Sequence, residues 1–167
     1  LVAALRAVVD RGRPVIGICN GFQTLTHAGL LPGALGANDS GHFRCSWVAL
    51  ATDPASHCVW TADAPAVIDC PIAHGEGRYV HPDPEALAAN GQIALRYADG
   101  NPNGSVDDIA GVCDRTGLVL GLMPHPENHI VARQLPHARR AAAAADGHGR
   151  LGLELFRSAL TAIGGRR

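Results

Sequence analysis

Cys19 stands at the centre of Gly17-Ile18-Cys19-Asn20-Gly21, and the residues before it, Val15, Ile16 and Ile18, are apolar and β-branched. A short apolar run opened by Pro14 and closed by glycine is the pattern of a buried parallel strand. G-x-C-x-G is the thiol counterpart of the G-x-S-x-G nucleophile elbow, a sharp strand-to-helix turn that presents its central side chain at the end of a sheet. The central residue is held in a strained conformation, and side chains two positions away would collide, so glycine is favoured there. A thiol in that place sits at a helix N-terminus, where backbone N–H groups and the helix dipole favour the thiolate. The same five residues also fit a tight turn around a small residue, and the motif alone does not separate the two readings.

A thiol nucleophile needs a base and a group that orients the base. Two H-x-E pairs are available, His74-Gly75-Glu76 and His125-Pro126-Glu127. The second follows the apolar run Val119-Leu120-Gly121-Leu122-Met123, and Pro124 and Pro126 keep its backbone extended. In an extended segment, residues i and i+2 project to one side, so Glu127 can steady the His125 imidazole while the ring faces the thiol. Taken by itself, an H-x-E at a strand end is also compatible with an ordinary polar turn.

Positioning these groups requires an ordered set of elements. Leu1, Val2, Leu5, Val8 and Val9 follow helical spacing, with Gly12 as a C-cap before the nucleophile strand. The chain opens without Met inside this helix, which implies N-terminal sequence ahead of it. After the elbow, Phe22, Leu25, Thr26 and Leu30 suit a short helix stopped by Pro32-Gly33. Strands are expected over residues 43–52, 67–73 and 92–97, with a short helix opened by Pro84 over 84–89. Residues 109–113 and 118–123 read as a hairpin around Asp114-Arg115-Thr116-Gly117. Ala141 to Ala145 reads as a mobile surface segment without an apolar stripe. Leu151, Leu155, Phe156, Leu160 and Ile163 make a closing amphipathic helix. Helices alternating with strands at the front and hairpins in the middle predict an α/β domain whose sheet is mostly parallel with an antiparallel addition. In open sheets of this kind the ligand lies beyond the carboxyl ends of the strands, where Cys19 would stand.

Composition narrows the class. A chain of 167 residues suffices for one domain with a substantial core. The formal net charge is −1, and the basic residues, all Arg, are scattered apart from Arg139-Arg140 and Arg166-Arg167, which argues against a nucleic-acid face. No apolar run approaches the ~20 residues of a membrane helix. Five cysteines without C-x-x-C spacing and without a signal peptide suggest a reduced, cytoplasmic setting.

Four motifs in order closely resemble the class I (triad) glutamine amidotransferases: Gly17-Ile18-Cys19-Asn20-Gly21-Phe22-Gln23, Pro71-Ile72-Ala73-His74-Gly75-Glu76-Gly77-Arg78, Asn101-Pro102-Asn103-Gly104-Ser105 and Met123-Pro124-His125-Pro126-Glu127. Within that family they are similar to the glutaminase branch that serves phosphoribosylformylglycinamidine synthase in purine biosynthesis. The likeness runs from residue 14 to about residue 130. It implies a flavodoxin-like three-layer α/β/α fold and a Cys19-His125-Glu127 triad that releases ammonia from glutamine. Gln23 and His74 are the substrate-binding residues it implies, and the Asn20 backbone N–H, as the residue after the nucleophile, is an oxyanion donor. It also implies a synthetase partner that takes up the ammonia, with a small accessory subunit as a further partner. No cofactor is expected in this chain, and ATP and Mg belong to the synthetase.

The chain departs from the family pattern in lacking the strands and glycine-rich turn that come ahead of the nucleophile strand. The whole of residues 1–167 therefore reads as an N-terminally truncated type 1 amidotransferase domain, expected to be inactive or poorly folded alone. Asn128 stands where the family usually has Arg. The competing readings are a zinc hydrolase or deaminase built on His125, Glu127 and His129, a Cys-elbow hydrolase of the same fold, and a non-catalytic scaffold that binds a synthetase. The zinc reading lacks its P-C-x-x-C partner.

Overall fold

The computed structural model describes residues 2–140 and 150–164. Helix α1 (Val2–Asp10) leads through a turn, with Gly12 at φ +69°, into strand β1 (Val15–Ile18), and helix α2 (Asn20–His27) starts directly after Cys19. Then come β2 (Ala34–Gly36), β3 (Arg44–Thr52), β4 (Val67–His74), β5 (Arg78–Val80), α3 (Pro84–Ala89), β6 (Ile93–Tyr97), β7 (Ile109–Cys113), β8 (Val119–Leu122) and α4 (Leu153–Gly164). The Asp83 side chain caps α3 by accepting from Ala86 N–H, and Pro84 opens the helix where a missing N–H costs nothing.

Six strands form one sheet in the order β1-β8-β7-β6-β3-β4. The expectation of a mostly parallel sheet is corrected. Among the described residues only β1 and β8 run parallel, with Val15 opposite Val119 and Ile18 opposite Leu122, whereas β8-β7, β7-β6, β6-β3 and β3-β4 are antiparallel. Parallel neighbours require a long crossover, and these strands are joined by connections that reverse direction, such as the turn at Asp114 to Gly117. The small antiparallel pair β2-β5 was not legible in the sequence. Three-residue strands carry no alternation, and they pair only because the fold brings two loops together.

Both faces of the sheet carry a core. Phe22, Leu25, Tyr79, Ile93, Val112, Val119 and Met123 form one cluster beneath α2, with the Phe22 and Tyr79 rings stacked at 5.7 Å. Leu50, Ile72, Leu95, Leu120, Leu122 and Leu155 belong to the other, and residues 58–60 of the β3-β4 loop drop into it. Adjacent residues such as Val119 and Leu120 fall into different clusters, as the period of two demands. The apolar stripe of α1 is only half covered: Leu5 and Val9 pack against the core while Val2 and Val8 are exposed. In α4, Leu155 is buried and Phe156 meets the Trp60 ring edge-on, but Leu160 faces outward. The Ala141 to Ala145 segment lies outside the described residues.

Candidate active site

The parallel pair creates the site. Because β1 and β8 run side by side in register, Cys19 and the chain leading to His125 leave the sheet at the same end. Cys19 N–H donates to Leu122 O at 2.9 Å, locking the elbow to the end of β8. Cys19 itself has φ +51° and ψ −106°, a conformation that L side chains rarely adopt. The glycine argument holds on one side of the elbow only. A Cβ at Gly17 would lie 2.7 Å from Gly21 O and would overlap the Leu25 side chain, whereas one at Gly21 would meet open space.

His125 Nδ1 stands 2.7 Å from Glu127 Oε1 across the 3-10 turn at Pro126–Asn128. In the neutral ring, Nδ1–H donates to the carboxylate, which leaves Nε2 as the nitrogen free to face the thiol. Burial pushes the Cys19 thiol up from its ordinary value and the Glu127 charge adds to this, while the Asn20 backbone N–H pulls it down. The expected thiolate-stabilising N–H is thus present but outweighed. That direction favours the thiol over the thiolate, so a nucleophilic role would call for a neighbouring base. Glu127 is 42 % exposed at its side chain, so the His125-Glu127 pair opens to solvent at its outer end.

Gln23 joins the elbow helix to the H-G-E-G loop. Its Nε2 donates to Glu76 O at 2.8 Å, and its Oε1 accepts from Asn20 Nδ2 at 3.3 Å. The groove beside it, about 550 Å³, runs along α2 and is lined by Asn20, Gln23, Thr24, His27, Leu35 and Glu76. Another groove, about 340 Å³, takes in Asn90 and Arg115 at the end of the sheet away from Cys19.

His74 sits behind this wall, only 4 % exposed. Its Nδ1 donates to Asn38 Oδ1 at 3.1 Å, and Asn103 Nδ2 lies 3.5 Å from its Nε2. Burial lowers its pKa from 6.5 to about 4, with a smaller contribution of the same sign from His125. Gly77 is required here because any Cβ would run into the imidazole. The Asn101 motif is both turn and wall: Asn101 Oδ1 accepts from the N–H groups of Asn103, Gly104 and Ser105, and buried Asn103 donates to Gly77 O and to the Tyr97 hydroxyl. Asn38 and Asn103 were missed as site residues. Asn103 lies in an ordered motif that signalled it, while nothing near Asn38 in the sequence does.

The third member of the His125, Glu127, His129 series does not join the other two. His129 is buried, and its Nδ1 donates to Asp69 O at 2.7 Å. Among the described residues no group of three His, Cys, Asp or Glu is arranged to hold a metal ion.

A strained cysteine elbow beside a His-Glu pair, at the carboxyl ends of neighbouring parallel strands, has the residue types and arrangement of a thiol-dependent acyl-transfer site on an α/β fold. Residues 1–161 match the model of the CobB/CobQ-like glutamine amidotransferase domain, and the chain belongs to that family. A phosphoribosylformylglycinamidine synthase subunit PurQ from a Nostoc species is 53 % identical over 123 residues, covering 71 % of this chain and 54 % of the relative. The same subunit from Lacticaseibacillus paracasei is 52 % identical over 136 residues, covering 79 % and 59 %. The chain thus spans somewhat over half the length of these curated relatives. A solved structure of PurLQS from Thermotoga maritima aligns with a TM-score of 0.78 and 36 % identity, over 97 % of this chain and 68 % of that one.

Proposed function

We propose that the chain carries the glutaminase site of a phosphoribosylformylglycinamidine synthase, hydrolysing glutamine to glutamate and ammonia. The observation that carries the reading is the 2.7 Å His125-Glu127 contact set next to the strained Cys19 elbow by the β1-β8 pair. His125 Nε2 takes the Cys19 proton as Sγ attacks the side-chain amide carbon of glutamine. The Asn20 N–H stabilises the oxyanion. As the C–N bond breaks, His125 returns the proton to departing ammonia and leaves a glutamyl thioester. A water molecule, deprotonated by His125, then cleaves the C–S bond to give glutamate and restore the thiol. Gln23 braces the substrate groove, and the role of His74 is to hold its wall.

The ammonia is delivered to a synthetase partner that uses ATP and Mg to aminate formylglycinamide ribonucleotide, with a small accessory subunit completing the assembly in the cytoplasm. This chain itself uses no cofactor. PurQ naming among the relatives and the PurLQS likeness support the partner assignment. A flavodoxin-like three-layer arrangement is the finer fold we propose, supported by the core clusters on both faces of the sheet.

Glutamate release from glutamine, measured in complex with the synthetase, tests the reading. Turnover is expected to vanish in Cys19→Ala and to fall about 10²- to 10⁴-fold in Glu127→Gln. Undiminished release by Cys19→Ala would overturn it.

A further inference from the structure

Strand β4 ends the sheet, and among the described residues no further strand pairs with its outer edge. Pro71, which lacks an N–H, points its backbone to that edge. The chain that bears the triad occupies the edge instead. His125 N–H donates to Pro71 O at 2.8 Å, His129 Nδ1 donates to Asp69 O at 2.7 Å, and Asp69 N–H donates to Arg150 O at 2.9 Å.

Asp69 also holds this chain through its carboxylate, which is 1 % exposed. Arg139 Nη1 donates to Asp69 Oδ1 at 2.9 Å, and Arg150 Nη1 lies 3.7 Å from Oδ2. Arg139 continues to Trp47 O at 2.8 Å and to the Asp99 carboxylate, so one guanidinium ties β3, β4 and the turn after β6 to the segment beyond Glu127. His129 packs edge-on against the Trp47 ring at 5.1 Å. From the other side Gly152 presses on Pro126, where a Cβ would lie 2.6 Å from the Pro126 Cα. A carboxylate this deeply buried is costly to keep charged unless it is paired, and the pairing here selects one placement of the segment.

We propose that Asp69 is a positioning residue of the triad: its carbonyl, N–H and carboxylate bind the chain after Glu127 to the edge of β4, and so hold the His125-Glu127 pair in register with Cys19. This rests on the glutaminase reading for its kinetic consequence. Its geometric content is independent of that reading. The Glu127 side chain itself is 42 % exposed, so its own burial does little to fix the pair.

The test uses Asp69→Asn and, as a variant at a more exposed position, Arg139→Gln. The first readout is the hydrogen exchange of the His125 Nδ1 proton in the full chain, followed by imidazole NMR and assigned by its loss in His125→Gln. The second is glutamate release in complex with the synthetase. Exchange is expected to accelerate at least about tenfold in both variants, and kcat to fall about 10- to 100-fold with KM for glutamine unchanged. Wild-type exchange and wild-type kcat in both variants, even with lower thermal midpoints, would make Asp69 a stability residue only and overturn the proposal. Should the wild-type complex release no glutamate, the functional reading fails, and the His125 exchange still decides the role of Asp69.

Discussion

Acidification should unlock the wall of the site at His74. The imidazole is neutral in the folded chain: Nδ1–H donates to Asn38 Oδ1, and Nε2 faces the Asn103 amide nitrogen at 3.5 Å. The Asn103 amide cannot turn its oxygen toward the ring, because Oδ1 already accepts from the Ser105 hydroxyl at 2.7 Å and from Ser105 N–H at 3.1 Å. A proton on Nε2 would therefore meet a donor, inside a pocket that water hardly reaches. With the folded pKa depressed to about 4 from 6.5, the stabilisation is present above pH 6.5 and is lost as pH falls through 4. At about 1.4 kcal/mol per pH unit the displacement is worth about 3 kcal/mol, of which about 2 kcal/mol is gone by pH 5. Urea unfolding followed by the fluorescence of Trp47 and Trp60 at pH 7, 6, 5 and 4 measures it, with His74→Gln as the reference that removes this one titration. The wild type should lose about 2 kcal/mol more than His74→Gln between pH 7 and pH 5. Parallel losses in the two proteins, or an imidazole NMR midpoint for His74 near 6.5, would refute the reasoning.

Two further outcomes follow from the packing and the thiol. Alkylation of Cys19 by iodoacetamide, read by peptide mass spectrometry to separate it from exposed Cys45, should keep accelerating above pH 9.0, because burial and Glu127 raise the thiol; a plateau reached below pH 9.0 would mean that the thiol is instead ionised at rest by His125. Gly121→Ala should destabilise the fold by about 1–3 kcal/mol in urea titration, because the added Cβ would overlap the Phe22 ring and the Leu31 side chain beneath the nucleophile helix, and a midpoint equal to wild type would show that α2 can shift without cost.

Local chemistry was readable from the chain alone. The elbow turn, the H-x-E pair, the helix opened by Pro84 and the hairpin around Asp114 to Gly117 depend on residues a few positions apart, and their spacing carries the information. The order of the motifs, through their likeness to the amidotransferases, put Cys19, His125 and Glu127 forward as one site. Strand direction was not readable, because apolar runs look alike whichever neighbour they pair with, and the sheet proved largely antiparallel. The site's wall was likewise decided in three dimensions. Asn38, His74, Gly77 and Asn103 come from three separate stretches, and only their convergence turns a histidine that the motif offered to the substrate into a buried, neutral brace. Asp69 is the extreme case. In sequence it is a lone acid in an apolar strand, and its meaning comes entirely from the arginines, the histidine and the triad segment that long-range folding lays along the open edge of β4.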